Sequence, residues 1–389
     1  MLLHSMDKGE LSGILLVDFR KAFDLINHKL LLQKLAIYGL KDTTLQWFRS
    51  YLTERKQLVS IGHSTSDLLP VRSGIPQGSS LGPLLFILFI NDIPLANTQC
   101  NSSIYVDDTT LANAGPTINT VRTHWQSGAD SLATWASENR MAIHPDKAKV
   151  MLVGTKRKLA TISEPLNISI CGTTLSQSSS GKLLGIHMDD CLSWNEHISA
   201  VIMKFSTKLE LVKHAKPYLT PERLLVLYNS LAKPTLEYCC SVWGNCSGDV
   251  LSQLTSAQKR AARILVNVDY TTPSLTLFQH LQIIPIVKTI CHRILLQTFN
   301  CFHKISPPCL STLVEKPTHH HSTRAVENNN LFLPKARTNA GKRRFSFLAP
   351  SLWNKFPDVG KKLTTTHGFR SHFKNKLAKM TELNTKRYY

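Results

Sequence analysis

Three carboxylates stand where the chain is otherwise apolar. Asp18 closes the run ILLV at residues 14–17, and Asp107 and Asp108 sit side by side in IYVDDTTL at 104–111. A carboxylate at the edge of a buried run is costly unless a cation or hydrogen-bond donors compensate it. Hard oxygen ligands of this kind suit Mg²⁺, which binds one or two carboxylates together with substrate phosphates. Two such ions about 3.5–4 Å apart can activate an attacking 3′-hydroxyl and stabilise a departing pyrophosphate. Taken alone, an Asp-Asp pair is far more often turn chemistry and Asp18 a helix cap.

The chemistry requires the acids to share one place, so the elements around them matter. Residues 13–17 have the continuous apolar character of a buried strand. Residues 104–111 predict a hairpin with the acids at its tip. Between them, helices are expected at 25–37 and at 41–54, the latter with Leu45, Phe48, Tyr51 and Leu52 on one face. Strands are expected at 57–61 and 69–73, then a very apolar helix from Pro83, a residue suited to a first helical turn, to Ile90. Residues 121–138 carry Val121, Trp125, Leu132 and Trp135 at helical spacing, and 141–143 and 150–153 return to strand. From about Asn195 the pattern is mostly helical, with a helix start at Thr220-Pro221 and an amphipathic helix at 250–266. Loops are expected at 306–308 and at 316–330, the second with a His319–His321 run. Trp125, Trp135 and Trp194 are expected in the core.

Charge separates the ends of the chain. Residues 1–110 hold 10 basic and 10 acidic groups, whereas residues 316–389 hold 16 and 3. The net charge of +20 is therefore concentrated towards the C-terminus, which points to a polyanion partner, most often nucleic acid. Lys342, Arg343, Arg344, Lys361 and Lys362 are candidates for phosphate contact, without a basis for sequence readout. No apolar run approaches the roughly 18 residues that cross a bilayer, so no membrane partner is expected. Nine cysteines with no CxxC pair read as a reduced, intracellular chain.

Five segments, in order, resemble the motifs of reverse transcriptases. LVDFRKAFD at 16–24 resembles motif A, SGIPQGSSLGP at 73–83 motif B, YVDD at 105–108 motif C, and WASENRMAIHPDK at 135–147 motif D. KLLGIHMD at 182–189, with LSWNEHI at 192–198, is similar to the primer-grip region (motif E) of non-LTR, LINE-type retrotransposon enzymes. Later segments, YNSLAKPTLEYCCSVW at 228–243, QKRAAR at 258–263 and FLAPSLWNKFP at 347–357, are similar to the region that follows the palm in animal non-LTR elements.

The resemblance implies an α+β fold: a reverse-transcriptase palm, an antiparallel sheet with packed helices, followed by a mainly helical thumb and C-terminal region. It implies a palm at 1–155, a primer-grip region at 156–200, a helical thumb at 201–270 and a basic C-terminal region at 271–389. The activity implied is RNA-directed DNA polymerisation, with an RNA template, a DNA primer and deoxynucleoside triphosphates as partners. A ribonucleoprotein with the element's own RNA, in nucleus and cytoplasm, is implied as well. Asp18, Asp107 and Asp108 would hold two Mg²⁺ ions, with Mn²⁺ as a substitute. Phe23 would be the steric gate against a ribose 2′-hydroxyl. Gln77 and Gly78 would lie beside the incoming nucleotide, Lys147 would donate a proton to pyrophosphate, and Leu184 and Gly185 would support the primer end.

Only 17 residues precede Asp18, and Lys8 is the only Lys or Arg among them. The fingers, and the endonuclease that usually precedes them in the family, are therefore expected to be missing, which makes stand-alone turnover doubtful. The rival from another class is a non-enzymatic nucleic-acid binder, a relic of such an element. A viral RNA-dependent RNA polymerase shares the palm, but Phe23 and the YVDD turn disfavour it.

Overall fold

The computed structural model describes residues 1–97, 99–317 and 329–379, with side chains as far as residue 373. The His319–His321 run lies outside the described residues. The chain forms two compact units that divide after Gly181.

The first unit is built on strand β1 (Leu11–Val17), buried along nearly its whole length as its apolar run requires. Helices α1 (His28–Ile37), α2 (Asp42–Leu52) and α3 (Gly82–Ile90) follow. Next come β2 (Asn101–Tyr105), β3 (Asp108–Gly115), α4 (Ile118–Glu138), β4 (Lys149–Val153) and the short β5 (Ser176–Gln177). The sheet order is β5-β4-β1-β3-β2. β1 runs antiparallel to both β3 and β4, and only β5 is parallel to its neighbour. The expected α+β architecture with an antiparallel sheet is the one observed.

α4 lies on this sheet with Trp125 wholly buried. A Cβ at Gly13 of β1 would fall 2.0 Å from the Trp125 ring, so the indole occupies the space a side chain would take. α1 is tied to α3 and α4 through one cation. Lys34 Nζ donates to the Phe89 carbonyl (2.7 Å) and to Asp92 (2.8 Å), and lies over the rings of Phe89 and Trp135. The Trp135 indole donates to the same Asp92 (3.0 Å). Burial lowers the Lys34 pKa, and the hydrogen bond and charge of Asp92 oppose that shift.

The sequence expectations differ from the structure in three local places. The helix expected from residue 25 begins at His28, because the Asn27 side chain accepts from the Leu30 N–H and caps it there. Residues 57–61 and 69–73 yield only two-residue ladders, Lys56–Gln57 with Leu69–Pro70 and Ser60–Ile61 with Ser64–Thr65, all exposed. With no buried face to hold the register, the pairing stays short. Residues 141–143 make a single bridge, Ile143 to Phe19, rather than a strand.

The second unit opens with a two-strand hairpin, Ser180–Leu183 with Ile186–Asp189, whose first strand straddles the division after Gly181. It continues with α5 (Asn195–Ala215), α6 (Pro221–Leu227), α7 (Gly248–Val266), α8 (Ile286–Phe302), α9 (Phe345–Lys355) and α10 (Thr366–Lys379). Its core is aromatic: Tyr228, Trp243, Phe299, Trp353 and Phe369 are fully buried, with Phe299 and Phe369 rings 4.6 Å apart. Trp125, Trp135 and Trp194 are all core residues, as expected. Part of the basic C-terminal segment serves this unit internally. The Arg343 guanidinium donates to the Asn245 (2.7 Å) and Leu192 carbonyls, and buried Lys361 pairs with Asp358 (2.9 Å). Lys342 and Lys362 are exposed.

Candidate active site

The ladder between β1 and β3 determines where the acids meet. Val17 pairs with Thr109 at one end of the antiparallel register, so Asp18 follows β1 at the edge where Asp108 begins β3. β2 and β3 are joined by a two-residue turn, Val106-Asp107, closed by the pair Tyr105–Asp108. Val106 has φ +54°, a region that β-branched residues rarely adopt. Such strain persists only where surrounding structure imposes it, and it clusters at functional sites. The expected hairpin with acids at its tip is therefore present, with strands longer than the sequence indicated.

Asp18, Phe23, Asp24, Gln77, Asp107, His144 and Lys147 line one open cleft of about 680 Å³, within the size range of small-molecule sites. Asp108 and Gly78 do not line it, although Asp108 directly follows Asp107. Asp108 is exposed, and partial desolvation followed by the charges of Asp107 and Asp18 holds its carboxyl above the ordinary range. Because the side chain reaches water, the neighbouring negative charges are the more telling cause; a cation would relieve them.

Lys147 supplies one positive charge, its ammonium 3.1 Å from Asp18. The backbone brings it there: Arg20 N–H donates to the Ala142 carbonyl (2.7 Å), and His144 N–H donates to the Asp18 carbonyl (2.9 Å). Phe23 is half-buried and stacks on Phe86, centroids 4.5 Å apart at 15°. Its ring is thus held against α3 while it lines the cleft.

The segment at 73–78 is stitched to the segment after β1. Gly74 N–H donates to the Ile26 carbonyl (2.8 Å) and Ile75 N–H to the Phe23 carbonyl (3.0 Å). His28 donates to the Gly74 carbonyl (2.7 Å), and the Ser73 hydroxyl donates to the Asp24 carbonyl (3.0 Å). Gly74 has φ +86°, and a Cβ there would meet the Asp24 backbone at 2.9 Å, so both conformation and space require glycine. Gln77 donates to the Asp24 carboxylate (2.9 Å). Asp24 is the residue that reading the sequence overlooked. Its signal was a fourth carboxylate directly after Phe23.

In the second unit, the hairpin turn consists of Leu184 (φ +46°) and Gly185 (φ +82°). Two successive positive φ values make the tight primed turn of a two-residue hairpin.

Among the described residues, no three His, Cys, Asp or Glu side chains come close enough to hold a metal ion by themselves. Asp18 and Asp107, which line the same cleft, are the kind of carboxylates that fit Mg²⁺ in its usual manner, with water and substrate phosphates completing the shell.

Comparison with known proteins bears on the family of the first unit. Residues 3–188 match the family described as "Reverse transcriptase (RNA-dependent DNA polymerase)", whose members generally use divalent metals. The chain is 25% identical over 298 residues to a probable RNA-directed DNA polymerase from transposon BS of Drosophila melanogaster, covering 72% of this chain and 32% of that protein. It is 27% identical over 274 residues to the RNA-directed DNA polymerase from mobile element jockey of the same organism, covering 67% and 29%. The chain thus spans about a third of the length of the curated relatives it matches. A solved telomerase structure from Candida albicans, in complex with a fragment of telomeric RNA, has a TM-score of 0.34 at 12% identity, covering 69% of this chain and 46% of that one, a likeness too slight to bear on function. Residues 3–188 thus match the reverse transcriptase family, and the curated relatives the chain resembles are polymerases of non-LTR retrotransposons.

Proposed function

We propose that this chain is the palm, thumb and C-terminal part of a non-LTR retrotransposon reverse transcriptase, extending a DNA primer on an RNA template. The observation that carries the reading is the shared cleft: Asp18, Phe23, Gln77, Asp107 and Lys147 come from four separate segments and line it together. In this reading the palm occupies 1–155, the primer-grip region 156–200, the thumb 201–270 and the basic C-terminal region 271–389. The element's own RNA would be both template and ribonucleoprotein partner, in nucleus and cytoplasm.

Asp18 and Asp107, with Asp108 as the third acid, would hold two Mg²⁺ ions, or Mn²⁺ in their place. When bound, such ions lower the pKa of the attacking 3′-hydroxyl and neutralise charge on the leaving pyrophosphate. The rest falls to side chains. Phe23, backed by Phe86, closes the space where a 2′-hydroxyl would sit. Gln77, held by Asp24, would border the nucleotide, with Gly78 next to it in the chain. Lys147, 3.1 Å from Asp18 in the same cleft, would supply the proton that pyrophosphate takes up. Leu184 and Gly185 would support the primer strand.

The test is primer extension on an RNA template with Mg²⁺, comparing the chain with Asp107→Asn. Loss of about 10²-fold or more is expected, the scale seen when a group stabilising developing charge is removed. Unchanged extension in the variant would exclude Asp107 from the chemistry.

A further inference from the structure

Tyr238 stands at an interruption in a helical run. Residues Tyr228–Ala232 form one wider helical turn with i to i+5 bonding, a feature frequent at functional sites. The helix Lys233–Glu237 then stops at Tyr238, Cys239 takes φ +49°, and helix resumes at Cys240–Trp243. A left-handed cysteine is an uncommon way to turn a corner, since only glycine adopts that region freely. The corner is held from inside, because the wholly buried Trp243 donates its indole N–H to the Tyr238 carbonyl (2.9 Å).

The result is a tyrosine directed at the 184–185 turn. Its hydroxyl donates to the Leu184 carbonyl (2.8 Å) across 54 residues of sequence. Its ring lies along the turn: a Cβ on Gly185 would sit 3.5 Å from the Tyr238 ring edge. Tyr238 is nevertheless 53% exposed and Leu184 39%. A tyrosine kept only for packing would be covered, as Tyr228 is. This one spends its hydroxyl on a surface turn.

We propose that Tyr238 is a positioning residue: it braces the Leu184-Gly185 turn so that the turn can receive the recessed 3′-end of a primer strand. The inference rests on the primer-side reading of that turn given above. The turn has two residues at positive φ and an exposed apolar tip, and Tyr238 is the side chain that hydrogen-bonds the Leu184 carbonyl. Fixing that carbonyl fixes the orientation of the peptide plane between Leu184 and Gly185. Any strand end resting on the turn would meet one surface instead of an ensemble.

The experiment uses the full chain, its Tyr238→Phe variant and two probes: a DNA primer on an RNA template with a recessed 3′-end, and the same duplex made blunt. Binding is followed by fluorescence anisotropy, and amide hydrogen exchange is measured across residues 183–187. The phenylalanine keeps the ring and removes only the hydroxyl, so the fold is retained. Faster exchange is expected at 183–187, with affinity for the recessed duplex falling by about threefold to tenfold, the range one hydrogen bond is worth. Binding of the blunt duplex is expected to stay unchanged. Equal weakening on both duplexes would overturn the proposal, as would no change in exchange. A wild-type chain that binds the two duplexes alike would instead sink the primer-side reading of the turn, and that outcome is visible without any variant.

Discussion

Asp18 and Lys147 illustrate what a single contact means in this cleft. The 3.1 Å ion pair between them is exposed enough that its contribution to stability is small, since such pairs in water are worth about 0–1 kcal/mol. Its significance is positional: it holds the Lys147 side chain in the cleft that Asp18 and Asp107 line. Phe23 is more constrained, stacked on Phe86 at 4.5 Å. If the ring excludes a 2′-hydroxyl, Phe23→Ala should raise ribonucleotide use relative to deoxynucleotide use by roughly 10-fold to 200-fold, the range a pocket achieves over one small group. Competition between ribo- and deoxynucleoside triphosphates in primer extension measures this, and an unchanged ratio would return Phe23 to an ordinary core role. Asp24 extends the same logic, because its carboxylate orients Gln77 while its backbone leaves no space for a side chain at Gly74.

The strand and helix that carry these residues tolerate little change. β1 supplies Asp18 at its end, and α4 lies against it where Gly13 leaves room for Trp125. Gly13→Ala would overlap the indole at 2.0 Å, far inside contact distance, and should destabilise the first unit by about 1–3 kcal/mol or more. Urea unfolding of the variant reads this directly; a change under about 0.5 kcal/mol, the usual span of surface substitutions, would show that α4 does not seat as described. In the second unit, α5 carries His197, buried, with Nδ1 accepting from the His187 N–H (3.3 Å) and Nε2 without a hydrogen-bond partner among the described residues. Burial first, then the charges of His187 and Lys204, lower its pKa to about 4 from the ordinary 6.5. A histidine depressed on folding must stay neutral, so its contribution is complete above pH 6.5 and is lost as pH falls towards 4. Tm should therefore be flat with respect to this group above pH 6.5 and decline between 6.5 and about 4. His197→Gln should flatten that decline, and an equally steep fall in the variant would assign it to other groups.

Charge belongs to the whole molecule. The net charge of +20 favours a polyanion, yet part of the basic C-terminal segment is already engaged, Arg343 with backbone carbonyls and Lys361 with Asp358. The phosphate-binding capacity is therefore smaller than the count of 16 basic residues beyond residue 315 implies. Binding to an RNA–DNA duplex should still weaken steeply with salt. If about 6–10 phosphates are contacted, affinity should drop by roughly 10³–10⁵ between 50 and 200 mM salt. Titrations at several salt concentrations give the slope. A flat response would remove electrostatics as the basis of binding, whereas binding that persists without extension would favour the non-enzymatic reading. No helix among the described residues is long and apolar enough to cross a membrane.

Much of this was legible from residue order alone. An apolar run ending in Asp18, a hairpin tip at Asp107-Asp108 and helical spacing at 121–138 are local signals, because strand, turn and helix periodicity are written in near neighbours. The order of five motifs likewise needs no structure. What near neighbours do not encode is register and approach. Only the β1–β3 ladder brings Asp18 level with Asp108; only backbone bonds from residues 142–144 to 18–20 carry Lys147 to Asp18. Asp24 beside Gln77 and Tyr238 against Leu184 are contacts across 53 and 54 residues. Those distances are settled by packing of the whole core, where each side chain's place depends on all the others, so tertiary structure alone decided them.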